Sequence, residues 1–360
     1  MRPIIQVCSL LFCLCSVKLK NLYEVKGYNF VNLQSKNKRV ELYSVIKEPI
    51  IDNLKCFNKI FDETLLSTNH YLSQIFVSMN KKGKQMRPIL LFLTAKAFGT
   101  INQNTYLSAV TLEMLHTASL IHDDVVDESD KRRGIPSVNA MQGNKVAVLV
   151  GDYILSTAML KACSTNMAIV HRIAELGRQL SQGEIIQLRN SSAESVSEES
   201  YLEAIRLKTA ALFSMSGELG ALSVEASDDV VAKMRLLGEI IGICFQIRDD
   251  IFDYFNDNVG KPTGNDLAEG KLTLPLIYAL SQYPDDKMKA LTTKVKTFTI
   301  TTEERAALVE YAKEKGGIEY AQKVMFDYAH RAKEMVKEIK QPEINRALIN
   351  YIDFVTNRTT

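Results

Sequence analysis

The sequence predicts an all-α protein built as a single large helical bundle. Three observations carry this. Apolar residues recur at three- and four-residue spacing over most of the chain from about Arg39 onward. Strand-like alternation is absent over any useful length. Glycine and proline, 17 and 8 of 360 residues, are sparse and fall mostly between the periodic segments. The periodic segments in chain order are 44–61, 103–126, 146–162, 168–188, 198–222 and 230–255, then 302–315, 318–337 and 342–355. Gly83, Pro88, Gly99, Gly134-Ile135-Pro136, Gly143 and Gly151 punctuate the first half. Punctuation is densest between Gly260 and Gly270, and 191–200 reads as a polar connector. There is no short repeat and no Pro/Ser-rich linker, so 39–360 reads as one domain, although the length alone would accommodate two.

Composition narrows the function classes. The net charge of +2 gives no whole-chain case for nucleic-acid binding. No apolar run reaches the ~20 residues of a membrane span. Of the six cysteines only Cys56, Cys163 and Cys244 lie in the body, which suits a reducing compartment and a cytoplasmic protein. Residues 1–38 differ from the rest: Arg2, an apolar stretch from Pro3 to Val17, then Lys18 and Lys20, with no acid before Glu24. A signal peptide, a transit peptide and a start assigned too far upstream stand as three open readings, the targeting readings allowing an organellar location.

The chemistry is carried by two acidic clusters. Asp123-Asp124-Val125-Val126-Asp127 ends one apolar run. Asp123 and Asp127, four apart, share a helix face, and unpaired like charges at that spacing repel. Asp249-Asp250-Ile251-Phe252-Asp253 repeats the spacing at the end of another, with Gln246 on the same face. A solvated helix end is the plain explanation of one such cluster. Two copies on separate apolar helices point to a cation instead, and oxygen-only donors favour Mg²⁺.

Basic residues accompany both clusters. Lys84 and Arg87 follow Gly83; Arg132 and Arg133 follow the first cluster; Lys208 stands beside Thr209; Lys261 and Lys271 follow the second cluster. A solvated loop would explain Lys84 and Arg87, but Gly83 permits close backbone approach and Arg87 can fork onto a phosphate. The combination suits an anionic ligand held through metal on one side and by direct charge on the other. His116, seven residues before Asp123 on roughly the same face, reads as a ligand-binding residue, and His122 as structural.

Together these residues resemble the trans-isoprenyl diphosphate synthases, specifically the long-chain polyprenyl branch. The resemblance runs from about Ser44 to the C-terminus. It rests on Gly83-Lys84-Gln85-Met86-Arg87-Pro88, on Leu115-His116 through Asp127 with Arg132-Arg133-Gly134, on Lys208-Thr209, and on Gln246 through Asp253 followed by Gly260-Lys261. It implies the isoprenoid synthase bundle and head-to-tail joining of isopentenyl diphosphate to an allylic diphosphate, for a quinone side chain. It implies that Asp123, Asp127 and Asp249 hold Mg²⁺, with Mn²⁺ as substitute, and that Asp124, Asp250 and Asp253 stand close by. Arg132, Lys208 and Lys261 would bind the allylic diphosphate, with Lys271 on the same lid. Lys84, Arg87, His116 and Arg133 would bind isopentenyl diphosphate. Thr209 and Gln246 would line the allylic cation. Gln182-Gly183-Glu184 also resembles a family segment, without an assigned task. A homodimer is implied, as is peripheral membrane association on product release.

Product length is read from the helix entering the first cluster. Ser119 and Ala118, four and five residues before Asp123, would face the growing chain. Five residues at ~1.5 Å rise span ~7.5 Å, the scale of one or two isoprene units. Short-chain relatives close the tunnel there with aromatic side chains, whereas Ala118 and Ser119 are small, so a product longer than geranylgeranyl is expected. Close helix packing is the other explanation of two small residues. A short-chain synthase, a terpene cyclase and a non-catalytic synthase subunit are the alternatives. The second aspartate cluster with Lys84 and Arg87 argues against a cyclase, and the retention of all six aspartates argues against a non-catalytic subunit.

Overall fold

The computed structural model describes residues 36–66, 69–79, 83–192, 196–255 and 263–357. Residues 1–35 of the N-terminal extension and Lys261 therefore lie outside the described residues. The first helix, α1 (Lys36–Lys47), starts ahead of the boundary expected at residue 39. A short turn, Glu48–Ile50, separates it from α2 (Ile51–Leu65). The sequence pattern reads 44–61 as one segment. Pro49 breaks it, because proline lacks an N–H and crowds the preceding turn.

Then come α3 (His70–Ser78), α4 (Met86–Phe98) and α5 (Gln103–Val126). Helix α4 escapes the periodicity reading. Pro88 lies in its first turn, where its missing N–H has no intrahelical partner anyway. Its residues from Pro88 to Ala97 are buried all round except Lys96, so there is no amphipathic stripe to detect. Helix α5 begins at a capping box formed by Asn102 and Thr105 and runs unbroken to the first aspartate cluster.

A two-residue hairpin, β1 (Lys131–Arg132) and β2 (Ile135–Pro136), turns through Arg133 and Gly134, both at positive φ. It is the sole sheet among the described residues, and the sequence reading does not anticipate it. Next are α6 (Val138–Gln142), α7 (Asn144–Ala162), α8 (Met167–Ser192) and α9 (Glu198–Ile205). A π-helical turn, Arg206–Ala210, leads into α10 (Ala211–Leu222), and α11 (Asp228–Phe252) ends in the second cluster. The remainder is α12 (Asn265–Ala268), α13 (Leu274–Gln282), α14 (Asp286–Lys296), α15 (Thr302–Glu314), α16 (Gly317–Val336) and α17 (Pro342–Thr356). No helix of the described residues is long and apolar enough to cross a membrane.

The core sits on α10, whose residues 211–221 are all buried. It packs against α4 on one side and along α11 on the other, while α5 packs along α7. The α10–α11 contact is backbone to backbone. A side chain on Gly217 would run into the Met234 carbonyl, and one on Gly238 into the Phe213 carbonyl. This approach places Thr209 and Gln246 within reach of one another.

Replacing Gly217 by alanine should therefore destabilise the fold, although alanine favours helix by about 1 kcal/mol over glycine. Forcing the two helices apart costs about 1–3 kcal/mol, which offsets or exceeds that gain. Thermal unfolding followed by circular dichroism should give a melting temperature several degrees lower; an unchanged or higher value would contradict the close-contact account.

Candidate active site

A polar cavity of about 400 Å³ lies where the two clusters meet. Asp123, Asp127, Arg132, Lys208, Thr209, Gln246, Asp250 and Lys271 line it, so eight of the residues expected from the sequence converge. Asp124, Asp249, Asp253, Lys84, Arg87, His116, Arg133, Ala118 and Ser119 are not on its wall.

The first cluster is held by basic partners. Asp124 is buried at 3% exposure and receives Arg132, whose Nε donates to Oδ1 at 2.8 Å. This leaves Asp123 and Asp127 to the cavity. Burial raises the Asp123 carboxyl to about 6; Lys208, with Nζ 3.9 Å from Oδ2, opposes the rise, and Glu184 and Asp127 add to it. Lys271 reaches Asp127 at 3.8 Å and Glu269 at 2.6 Å. Burial alone would lower the Lys271 pKa, but Glu269 and Asp127 outweigh it and the ammonium is held charged.

Lys208 and Thr209 sit on the π-helical turn, a local irregularity that often marks a functional site. The segment Gln182-Gly183-Glu184 explains how the turn is held. A Cβ on Gly183 would come within 2.7 Å of the Lys208 backbone nitrogen and 2.9 Å of the Leu207 carbonyl carbon. Helix α8 can therefore lie against the turn only with glycine there, and Glu184 pairs with the Lys208 ammonium.

The second cluster divides its labour. Asp250, not Asp249, lines the cavity. It is buried at 4% exposure, accepting from Tyr201 Oη at 2.5 Å and from Gln246 Nε2 at 2.7 Å. Burial raises its pKa despite those two donors. The amide of Gln246 must turn its NH₂ to Asp250, so its Oε1 accepts from Thr209 Oγ1 at 2.7 Å. The Thr209 hydroxyl proton is thus engaged, and its lone pairs remain. Asp253 caps α12, accepting from the backbone N–H of Asn265 at 2.9 Å and of Asp266 at 3.0 Å. Asp266 also lines the cavity, and burial, with Asp250 and Asp253 adding to it, raises its pKa strongly. Asp249 is half-buried, and its charge reaches Arg87.

Arg87, His116 and Arg133 form a second group, and Lys84 lies on the loop that leads into Arg87. Arg87 Nη1 donates to His116 Nε2 at 3.0 Å and its guanidinium lies 4.8 Å from the Phe213 ring centroid. Burial, then Arg87, Arg133 and Arg132, hold the His116 pKa well below its ordinary value, so the imidazole is neutral. Because Nε2 accepts, the proton is on Nδ1. His116 Nδ1 and Arg87 Nε are both buried donors without a partner among the described residues. Buried unpaired donors are rare in folded proteins unless a ligand or water completes them. The Arg133 guanidinium packs on Gly83, where a Cβ would come within 2.8 Å of its Cζ. Glu113, whose pKa burial raises against the pull of Arg87 and Arg133, balances the two guanidiniums. Gln85 holds the left-handed conformation, φ 49°, which costs a non-glycine residue about 1–2 kcal/mol. Its Nε2 is fixed on Asn58 Oδ1 at 2.6 Å, and Tyr351 Oη donates to the next carbonyl, Met86 O, at 2.8 Å. A second, mostly apolar cavity of about 230 Å³ adjoins this loop, with Gly83, Gln85, Glu113 and Arg133 on its wall.

The sequence profile named Polyprenyl synthetase matches residues 69–312. The chain belongs to this family. A nonaprenyl diphosphate synthase of Mycobacterium tuberculosis is 33% identical over 83% of the chain and 90% of its own length. A solved geranylgeranyl pyrophosphate synthase from Bacteroides thetaiotaomicron is 44% identical, with a TM-score of 0.79 over 88% of the chain and all of its own. A solved decaprenyl diphosphate synthase from Rhodobacter capsulatus is 30% identical, with a TM-score of 0.82 over 87% of the chain and 98% of its own. The chain is a prenyltransferase of the polyprenyl synthase kind, and its isoprenoid synthase fold is that of these neighbours.

The residues that the sequence reading missed are Tyr201, Asp266, Glu269 and Glu113. Tyr201 acts through a partner that folding brings close, meeting Asp250 across 49 residues of chain, whereas Glu269 pairs locally with Lys271. Glu184, part of the Gln182-Gly183-Glu184 segment, pairs with Lys208.

Placing a methyl group on Gly183 should push the π-helical turn, and Lys208 with it, away from Asp123. Gly183→Ala is expected to lower kcat at least tenfold, as misplacement by about an ångström does. The helical circular dichroism and the KM for isopentenyl diphosphate should stay near wild type. Wild-type turnover would show that the close approach does not position Lys208.

Proposed function

We propose that the chain condenses isopentenyl diphosphate with an allylic diphosphate, repeatedly and all-trans, to make a long-chain polyprenyl diphosphate. The observation that carries this is the shared wall: Asp123, Asp127, Asp250, Lys208 and Lys271 face one polar cavity, with two unpaired buried donors, Arg87 Nε and His116 Nδ1, in the second group. Two anionic ligands, one held partly through metal and one by direct charge, would satisfy both halves.

The donor set fits Mg²⁺, with Mn²⁺ as substitute. Every candidate donor is a carboxylate oxygen, and burial with neighbouring acids already strains Asp123. Among the described residues no three metal-ligating side chains converge to hold an ion by themselves. In our reading Asp123, Asp127 and Asp249 would share the ion with substrate oxygens. When bound, the metal would stabilise negative charge building on the leaving diphosphate.

In this reading Lys208 and Arg132 bind the allylic diphosphate, joined by Lys271 and Lys261. Lys84, Arg87, His116 and Arg133 hold isopentenyl diphosphate. As the allylic C–O bond breaks, the oxygens of Thr209 and Gln246 face the cation. The double bond of the second substrate attacks C1, and the departing diphosphate takes the proton released, so no protein base is required. Apolar helix walls keep water from the cation.

For product length, Ala118 is buried at 2% exposure, and the half-buried Ser119 turns its Oγ back to the His116 carbonyl at 2.9 Å. Neither projects an aromatic ring below the aspartates. We therefore assign a product longer than geranylgeranyl, in the hexaprenyl to decaprenyl range, destined for a quinone side chain. The short-chain alternative is favoured by one observation, the 44% identity to a protein named for geranylgeranyl pyrophosphate. We further infer a cytoplasmic homodimer with peripheral membrane association on product release. Exposed Leu149, Leu160, Met167, Ile185 and Leu188, on the neighbouring helices α7 and α8, support a subunit interface.

The purified chain alone should release pyrophosphate from isopentenyl plus farnesyl diphosphate. EDTA should abolish the activity, and Mg²⁺ or Mn²⁺ should restore it. Asp123→Ala or Asp249→Ala should lower turnover by orders of magnitude with the helical spectrum intact. Full activity in EDTA would sink the metal assignment.

Product analysis tests the length reading. The wild type should accumulate chains beyond geranylgeranyl. Ala118→Phe should shorten the main product sharply while the first condensation continues. A wild type that stops at farnesyl or geranylgeranyl, or an Ala118→Phe variant with unchanged product, would overturn it.

A further inference from the structure

Helix α1 lies ahead of the residues that the family profile matches, which begin at 69. It nevertheless touches the loop that carries Lys84 and Arg87. Tyr43 donates its hydroxyl to the Lys84 carbonyl at 2.6 Å. Its ring stacks on Phe354 with centroids 5.5 Å apart, and the Lys84 ammonium lies 5.9 Å from the same Phe354 ring. A third layer, the Lys47 ammonium, sits 4.0 Å from the Tyr43 ring centroid. Tyr43 is half-buried. Packing on Phe354 alone would be served by phenylalanine, so the hydroxyl contact is what is particular to tyrosine.

The loop needs external support because Gln85 is in a conformation that a non-glycine residue keeps only when its surroundings fix it. Three helices supply that support. Asn58 on α2 holds the Gln85 side chain, Tyr351 on α17 holds the Met86 carbonyl, and Tyr43 on α1 holds the Lys84 carbonyl. Among these, Tyr43 acts on the backbone of a predicted phosphate-binding residue itself.

We propose that Tyr43 is a positioning residue that presents Lys84 to isopentenyl diphosphate, making α1 part of this half of the site. The inference rests on the proposed reading that Lys84 binds that substrate. Removing the hydroxyl frees the Lys84 backbone without deleting its charge. The effect falls on capture of isopentenyl diphosphate and not on ionisation of the allylic partner.

Steady-state kinetics with both substrates varied separately, on the full chain, distinguishes the possibilities. Tyr43→Phe should raise the KM for isopentenyl diphosphate about three- to tenfold, the span of one hydrogen bond. Its KM for farnesyl diphosphate and its kcat at saturation should stay at wild type. Lys84→Ala should raise the same KM further, and adding Tyr43→Phe to it should change nothing more. An unchanged KM for isopentenyl diphosphate in Tyr43→Phe, beside a raised one in Lys84→Ala, overturns the positioning role alone. A loss shared equally by both substrates makes Tyr43 a packing residue and also overturns it. Lys84→Ala with a wild-type KM overturns the underlying site reading, and the inference falls with it.

Discussion

Burying like charge around one cavity is the constraint on which the rest of the site depends. Asp123, Asp127, Asp250 and Asp266 share a single wall, and burial drives Asp123 up to about 6. A carboxylate removed from water must find donors or lose its charge. The solutions differ from residue to residue. Asp124 takes a guanidinium, Asp250 takes a phenol and an amide, and Asp253 takes two backbone N–H groups. What remains for Asp123 and Asp127 is long contact with lysines at 3.8–3.9 Å. These two are the least satisfied acids of the first cluster. In the proposed site, which would bind a cation and a polyanion together, the residues assigned to the ligands are the ones the protein leaves incompletely paired.

The same logic links the two halves. The Asp249 charge reaches Arg87, and the preceding residue, Arg248, donates to the Val355 carbonyl at 2.8 Å. Helix α11 therefore carries the second aspartate cluster and also anchors the last turn of α17. That turn holds Tyr351 on Met86 and Phe354 beside Tyr43. The acidic cavity and the basic loop are thus two ends of one packed unit. Their separation is fixed by helices whose backbones nearly touch at Gly217 and Gly238.

How much of this was legible in the sequence depends on the range of each signal. Both clusters were legible because aspartates four apart on an apolar helix form a local pattern, and α5, from Gln103 to Val126, lies where periodicity places it. Arg132, Arg133, Lys261 and Lys271 were legible because they follow the clusters closely in the chain, and Lys84 and Arg87 because they flank Gly83. Helix α4 was not legible, since burial on every side erases the amphipathic stripe. The π-helical turn was not legible either: 198–222 reads as one apolar helix, and the irregularity arises where Gly183 of α8 presses on it. Tyr43, Tyr201 and Tyr351 carry no signal at all, because their partners lie 41, 49 and 265 residues away. Periodicity reports which face a residue occupies, not which distant acceptor its hydroxyl will meet.

The places where local rules fail are also the places that position the chemistry. Gln85 adopts a conformation that its side chain disfavours, and the turn at Lys208 departs from regular α-helix. Arg87 and His116 bury donors that no described residue accepts. Each is unfavourable for folding by itself, and each lies beside a predicted diphosphate contact. A fold stabilised by an extensive apolar core can sustain a few such defects without losing its structure. Their clustering in the two groups of site residues argues that binding and folding make opposing demands there. A sequence optimised for stability alone would have an unbroken α-helix through 208, and would then lack the displaced Lys208 beside Asp123.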